Sequence, residues 1–265
     1  GQVSLGNLVA TAGCARNIVL VGDQMQLPQP VQGVHPGESG LSCLDYLMQD
    51  RATVPPERGI LLDISWRMHP AVCGFISSVF YDGRLTSHPE TAERRLILND
   101  RAHPMLRPAG LSVMEVDHRG CTQSSAEEAS AVAALVQSLL TQSLRDKTGA
   151  VRKFKLDDLL VVAPFNAQVN LLRRRLPEGT RVGTVDKFQG REAMAVIISL
   201  AASSAEDAPR GLEFLLDRNR MNVALSRAKT NSFLVYSPTL IRSRFTSVED
   251  VKAVSRLAGL LEFAS

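Results

Sequence analysis

Arg220 and Arg227 stand seven residues apart in the stretch RMNVALSRAK. On a helix that spacing brings both side chains to nearly the same face, with Met221, Ala224, Leu225 and Ala228 supplying apolar contacts elsewhere. A guanidinium is permanently charged and forked. It therefore suits a phosphate better than an ammonium does and can follow charge onto a transferring phosphoryl group. The simpler reading is a solvated basic helix face, and what argues against it is the company of other polar loops. Trp66 and Arg67 follow an apolar run, residues 59–64, inside SWRMHP. A lone Trp is ordinarily a core residue. The alternative beside an arginine is a flat ring on which a nucleobase stacks while Arg67 reaches phosphates. Asp23, Gln24 and Gln26 follow a further apolar run, NIVLV at residues 17–21, before Pro28 and Pro30 stop any helix.

The elements that must position these residues are legible as apolar runs. Residues 17–21, 59–64, 159–163 and 193–201 read as buried parallel strands, each delivering polar residues at its carboxyl end, where open α/β sheets bind ligands. Shorter strands are expected over 111–116, 181–185 and 232–236. Helices are expected over 41–48, over 71–81 behind Pro70, and over 126–144, the last capped by Ser124 or Ser125 with Glu127 and Glu128 in its first turn. Asn166 is expected to cap a helix bearing Gln168 and Arg173 to Arg175. Residues 145–155 read as a basic loop and 241–265 as an amphipathic packing helix. Alternating strands and helices imply an α/β fold, a mostly parallel sheet with helices on both faces. The connector RATVPPERG, residues 51–59, is the expected domain boundary.

The 265 residues are 45% hydrophobic and 22% charged with a net charge of +3, which suits a folded globular protein and permits a polyanionic partner. Arg152, Lys153, Lys155, Arg173, Arg174, Arg175, Arg181, Lys187 and Arg191 crowd one segment, suggesting an anion-facing surface. Cys14, Cys43, Cys73 and Cys121 lack metal-ligand spacing and read as reduced thiols of a cytosolic protein, so no metal site is assigned to this chain. No run of about 18 apolar residues suggests a membrane span. The first residues lack a basic signal-peptide region and an initiator Met, from which we expect a chain beginning inside a longer protein.

In order, GDQMQLP, SWRMHP, APFNAQ, TVDKFQGRE and RMNVALSRAK resemble successive motifs of superfamily 1 helicases, of the 1B branch typified by the RNA helicase of nonsense-mediated decay. The resemblance runs from Gln2 to about Tyr236. The segment LPQPVQGVHPGESGLSCLDYL further resembles bacterial proteins that fuse a RecB-like nuclease to such a helicase. It implies two RecA-like, P-loop NTPase domains with ATP between them: the trailing part of the first at 1–52, the second at 53–240, then a helical tail at 241–265. By resemblance, Gln26 senses the γ-phosphate or attacking water, and Asp23 links its strand end to the magnesium and nucleic-acid sides. Trp66, where the family often has Tyr, stacks on adenine, and Arg67 contacts the γ-phosphate. Gln189 and Gly190 line the cleft, Glu192 holds the ribose and Arg227 is the second arginine finger. Asn166, Thr184, Asp186 and Lys187, at strand ends, are expected to grip single-stranded nucleic acid, DNA being favoured and 5′-to-3′ polarity implied. For Thr184 and Lys187 the plain alternative is a solvated loop. No G-x-x-x-x-G-K-[ST] occurs, and the family's magnesium-holding acidic pair comes just before the opening Gly-Gln. The chain is therefore expected not to hydrolyse ATP alone. A different class also fits: an ATP-regulated nucleic-acid scaffold that controls an attached nuclease without processive unwinding.

Overall fold

The computed structural model describes residues 3–28, 33, 35–49, 51–245 and 247–264. Pro30, read above as a helix stop, and the loop positions 29–32 and 34 lie outside the described residues. Two short amino-terminal helices come first, α1 (Leu5–Thr11) and α2 (Cys43–Met48), capped by Ser4 and Ser42. The parallel pair β1 (Ile64–Ser65) and β2 (Thr86–Ser87) flanks α3 (Pro70–Phe80), which His69 caps. Next come β3 (Arg95–Ile97), β4 (Gly110–Glu115) and α4 (Ala126–Leu140), followed by β5 (Ser143–Arg145) and β6 (Val151–Lys153). The chain continues through β7 (Leu159–Val162), α5 (Asn166–Arg175), β8 (Val182–Gly183) and β9 (Ala193–Ser199). Helices α6 (Gly211–Leu215) and α7 (Arg218–Ser226) lead into β10 (Ala228–Tyr236), and α8 (Thr239–Arg242) and α9 (Val248–Ala264) follow.

Five strands form one parallel sheet in the order β4-β10-β9-β7-β8. Successive side chains of a strand point to opposite faces, and here both faces are covered. Leu160, Val162, Val196, Ile198, Leu234 and Tyr236 pack in a core with α3, α7 and α9. Their neighbours Leu159, Val161, Ala195, Ile197, Phe233 and Val235 pack in a second core with α4 and α5. All seven residues of β9 are buried, as a central strand of a doubly covered sheet requires. The architecture is the α/β, RecA-like class expected from the sequence.

Several local expectations give way. Residues 17–21 form no strand, and Val19 and Val21 are 84% and 87% exposed. Of the run 59–64 only its last residue enters a strand, and Ile60 and Leu62 are 89% and 80% exposed. A buried strand needs partners beside it and cover on both faces; among the described residues neither run has them. Residues 145–155, read as a loop, instead join β5 to β6 as an antiparallel hairpin alongside β3. The N-cap of α5 is Phe165, with Asn166 the exposed first residue of the helix, so Asn166 does not cap it. Ser125 caps α4, its hydroxyl accepting from the Glu128 amide at 3.0 Å. Members of the basic segment have partners within the chain. Arg152 is held by Asp158, Arg181 by backbone carbonyls, and the Arg173–Arg175 end of α5 lies opposite its Asn166 end.

Candidate functional site

Strands β9 and β10 start side by side, Ala193 opposite Ala228, so Glu192 and Arg227 are carried to the same edge. The Ala193 amide donates to the Arg227 carbonyl at 3.1 Å, which fixes that approach. Gly190 makes it possible from the other side. Its φ of +79° is one that glycine adopts without penalty, and it turns the chain out of the 184–189 segment toward Glu192. Arg67 arrives from the end of β1. Its Nε donates to Glu192 Oε2 at 2.8 Å and its Nη1 to the Ser226 carbonyl at 3.2 Å. Lys229 Nζ lies 2.6 Å from Glu192 Oε1. Partial burial pushes the Glu192 carboxyl up, but hydrogen bonds from Lys229 and Arg67 outweigh it and hold the group below the usual glutamate range.

Arg227 is different from its neighbours. It is 4% exposed, its Nε has no hydrogen-bond partner, and among the described residues it makes no ion pair. Burial first, and then repulsion from Arg67, pull its guanidinium below the usual arginine value, against the attraction of Glu192 and Tyr81. A buried cation lacking a partner is costly. Two guanidiniums that repel each other beside one glutamate leave positive charge for an anion to neutralise.

The loop after residue 21 docks on α7, the helix that Arg227 caps. Asn219 Nδ2 donates to the carbonyls of Gln24 and Gln26 at 3.1 and 2.9 Å, and Asn222 Nδ2 donates to that of Met25 at 2.8 Å. Tyr81 completes the joint: its hydroxyl donates to Asp23 Oδ2 at 2.7 Å and accepts from Asn222 at 2.9 Å. Burial, with Asp23 adding to it, pushes that phenol well above its usual range. Gln26 itself donates to Asp23 Oδ2 at 3.0 Å, so its side chain is held within its own loop.

Trp66 is 60% exposed and stacks on His88 at 3.5 Å between ring centroids, 16° from parallel. It is a surface ring and not a core residue. Arg94, buried, donates to the carbonyls of both Trp66 and Arg67 and so fixes the backbone that presents them. Gln189 is half-buried, its amide donating to the Asp186 carbonyl at 3.3 Å.

Asn166 and Thr184 both follow the carboxyl ends of neighbouring strands, β7 and β8, which pair at Val162 and Gly183. Lys187 is exposed, its amide donating to the Thr184 carbonyl at 3.1 Å. Asp186 is not free to work with them alone, because Arg220 Nη1 lies 3.4 Å from its Oδ2. Arg220 also lies over the Phe214 ring, 4.5 Å from its centroid. The two arginines with which the sequence reading began thus diverge: Arg227, at the helix end, is repelled by Arg67 and attracted by Glu192, while Phe214 and Asp186 capture Arg220.

Sequence reasoning missed Lys229, Arg94, Tyr81 and the Asn219–Asn222 pair. Only the last left a signal, two amides three apart on one helical face. Among the described residues no cluster of three His, Cys, Asp or Glu side chains could hold a metal ion, and no helix is long and apolar enough to cross a membrane.

Residues 40–238 match the family model described as "AAA domain". The chain is 31% identical over 230 residues to the DNA polymerase alpha-associated DNA helicase A of Schizosaccharomyces pombe, covering 80% of this chain and 32% of that protein. It is 29% identical over 232 residues to the regulator of nonsense transcripts 1 homolog of Drosophila melanogaster, covering 86% of this chain and 19% of that protein. Helicase SEN1 of Saccharomyces cerevisiae is 27% identical over 275 residues, covering 96% of this chain and 12% of that protein. This chain spans about a third or less of the lengths of these curated relatives. The chain belongs to the AAA domain family.

Proposed function

We propose that the chain is the carboxyl-terminal motor portion of an ATP-dependent helicase that translocates on and unwinds DNA in the 5′-to-3′ direction. One observation carries this reading: Arg227, buried and with its Nε unpartnered, feels the charges of both Arg67 and Glu192, which are themselves paired. The arrangement suits a polyphosphate. Arg67 and Arg227 would bind the γ-phosphoryl oxygens, where charge spreads in the transition state. Gln26 would orient the attacking water, held in place by the Asn219 and Asn222 contacts to its loop. Trp66 would stack on adenine, with Gln189 and Gly190 along the cleft wall. Glu192, engaged by Arg67 and Lys229, would exchange one of these partners for the ribose hydroxyls. Magnesium would supply charge neutralisation on the phosphates; no carboxylate group of this chain is assigned to hold it.

The domain division at about residue 52 and again at 240 belongs to this proposal, as does a RecB-like nuclease on the same polypeptide, of bacterial origin. Asn166, Thr184, Asp186 and Lys187 would lie along the single strand, touching phosphates and not reading bases. With no G-x-x-x-x-G-K-[ST] among the 265 residues, turnover is expected only when a phosphate-cradling loop is supplied. The test is single-strand-stimulated ATP hydrolysis and strand displacement by the polypeptide extended at its amino end to include such a loop. Duplex separation that Arg227→Ala abolishes supports the motor. Hydrolysis that leaves duplex intact would make the chain a nucleic-acid scaffold instead.

A further inference from the structure

At the carboxyl edge of the sheet lies a second polar cluster that the nucleotide reading leaves unused. Glu128, on the first turn of α4, and His118, beyond β4, are both fully buried in their side chains, with Glu128 Oε1 3.0 Å from His118 Nε2. Glu128 Oε2 accepts from the Ser199 hydroxyl at 2.6 Å and from the Ala201 amide at 3.0 Å. Ser199 Oγ accepts in turn from Gln168 Nε2 at 2.8 Å, and Gln168 Oε1 accepts from the Ser125 amide at 3.0 Å. On the other side His118 Nδ1 lies 2.7 Å from Ser203 Oγ, which also accepts from the Cys121 amide at 2.9 Å. None of these side chains has an orphaned polar atom.

The donor pattern fits one tautomer of His118. Ser203 Oγ already accepts from Cys121, and its proton has His118 Nδ1 as its acceptor. With that tautomer Nε2 carries the imidazole hydrogen and donates to Glu128, whose oxygens receive three donors in all. What the carboxylate holds is a strained piece of backbone. Ala201 has φ +67°, and the Ala202 amide donates to the Leu200 carbonyl at 2.8 Å, a tight turn directly after the central strand. The same network reaches Gln168, two residues beyond Asn166, and ties together the loops after β4 and β9.

We propose that Glu128 and His118 are positioning residues for the single-strand track: through Ser199, Ser203 and Gln168 they lock the turn after β9 and the start of α5, and so hold Asn166 in register with Thr184. This rests on the reading of these strand ends as a nucleic-acid surface. Neither residue touches the strand. A buried polar network with its full set of hydrogen bonds contributes a unique arrangement more than it contributes stability.

The experiment is fluorescence anisotropy with a labelled oligothymidylate across a range of salt concentrations, on the wild type, Glu128→Gln and Ser199→Ala. Thermal unfolding on each identifies the temperatures at which it stays folded. Ser199→Ala removes one hydroxyl at constant backbone and carries the test should Glu128→Gln fail to fold. The expected result is binding weakened about tenfold in the folded variants, with the slope of log affinity against log salt shallower by about one phosphate contact. A purely structural role would lower the melting temperature and leave affinity and slope unchanged; that result overturns the proposal. Absence of wild-type binding would instead overturn the nucleic-acid reading itself, and the role proposed for the network with it.

Discussion

The two ends of the five-stranded sheet each carry a polar cluster with a buried charged side chain in it, Glu128 at one end and Arg227 at the other, and the clusters differ in completeness. At the carboxyl end Glu128, His118 and their hydroxyl and amide partners satisfy one another entirely. At the amino end Arg227 is buried with an empty Nε, and one glutamate serves Arg67 and Lys229 together. A closed network serves the fold around it, whereas an open one has been left for something else to complete. Removing a buried charge should therefore have opposite consequences at the two ends.

The sharpest way to break this comparison is turnover. Arg227→Ala in the polypeptide carrying its phosphate loop should lower single-strand-stimulated ATP hydrolysis by about a thousandfold or more, about 4 kcal/mol of transition-state stabilisation. A loss of under tenfold would reduce Arg227 to a structural residue. On stability, Glu128→Ala strands His118, Ser199 and the Ala201 amide and should cost about 3 to 5 kcal/mol in denaturant unfolding. Arg227→Met, by contrast, removes an unpartnered cation at similar volume. It should leave the nucleotide-free protein as stable as wild type or more so, by about 1 kcal/mol. Equal destabilisation by the two substitutions would erase the distinction between the ends. Trp66→Ala should weaken ATP binding by about 1 kcal/mol, roughly fivefold, with little change in melting temperature because the ring is exposed. The smallest effect concerns pH. Glu192 has a lowered native value, so its ion pairs stabilise the fold above the ordinary glutamate range, about pH 4.3, and that contribution is lost as pH falls through the native value. Stability curves of wild type and Glu192→Gln should converge below that pH; curves that stay parallel would mean the pairs contribute nothing, as partly exposed pairs often do.

The sheet was legible because strands buried on both faces leave continuous apolar runs, as in β7 and β9. The same signal misled at residues 17–21 and 59–62, where burial depends on neighbours that no local pattern specifies. The hairpin of β5 and β6 escaped notice for the opposite reason: it is short, basic and largely exposed. At the site, Arg67, Glu192 and Arg227 could be named from their motifs, but their mutual geometry could not. Arg67 meets Glu192 across 125 positions of sequence, and Arg94 reaches Trp66 across 28. Lys229 lay hidden as the polar start of a strand whose apolar part alone, from Ser232 on, had been visible. Glu128 read as a helix-start acid and His118 drew no reading, since nothing in the spacing reveals that a strained turn waits beside them.

The central claim is that the open cluster is a polyphosphate site, and ATP-linked stabilisation tests it most directly. Denaturant unfolding of wild type and Arg227→Met would be followed over a range of ATP concentrations. The wild type should gain stability as ATP rises, by an amount that grows with the logarithm of concentration, while Arg227→Met starts as stable or more so and gains little. If both proteins gain equally, or if Arg227→Met is destabilised like a core truncation, the cluster is not where the phosphates bind.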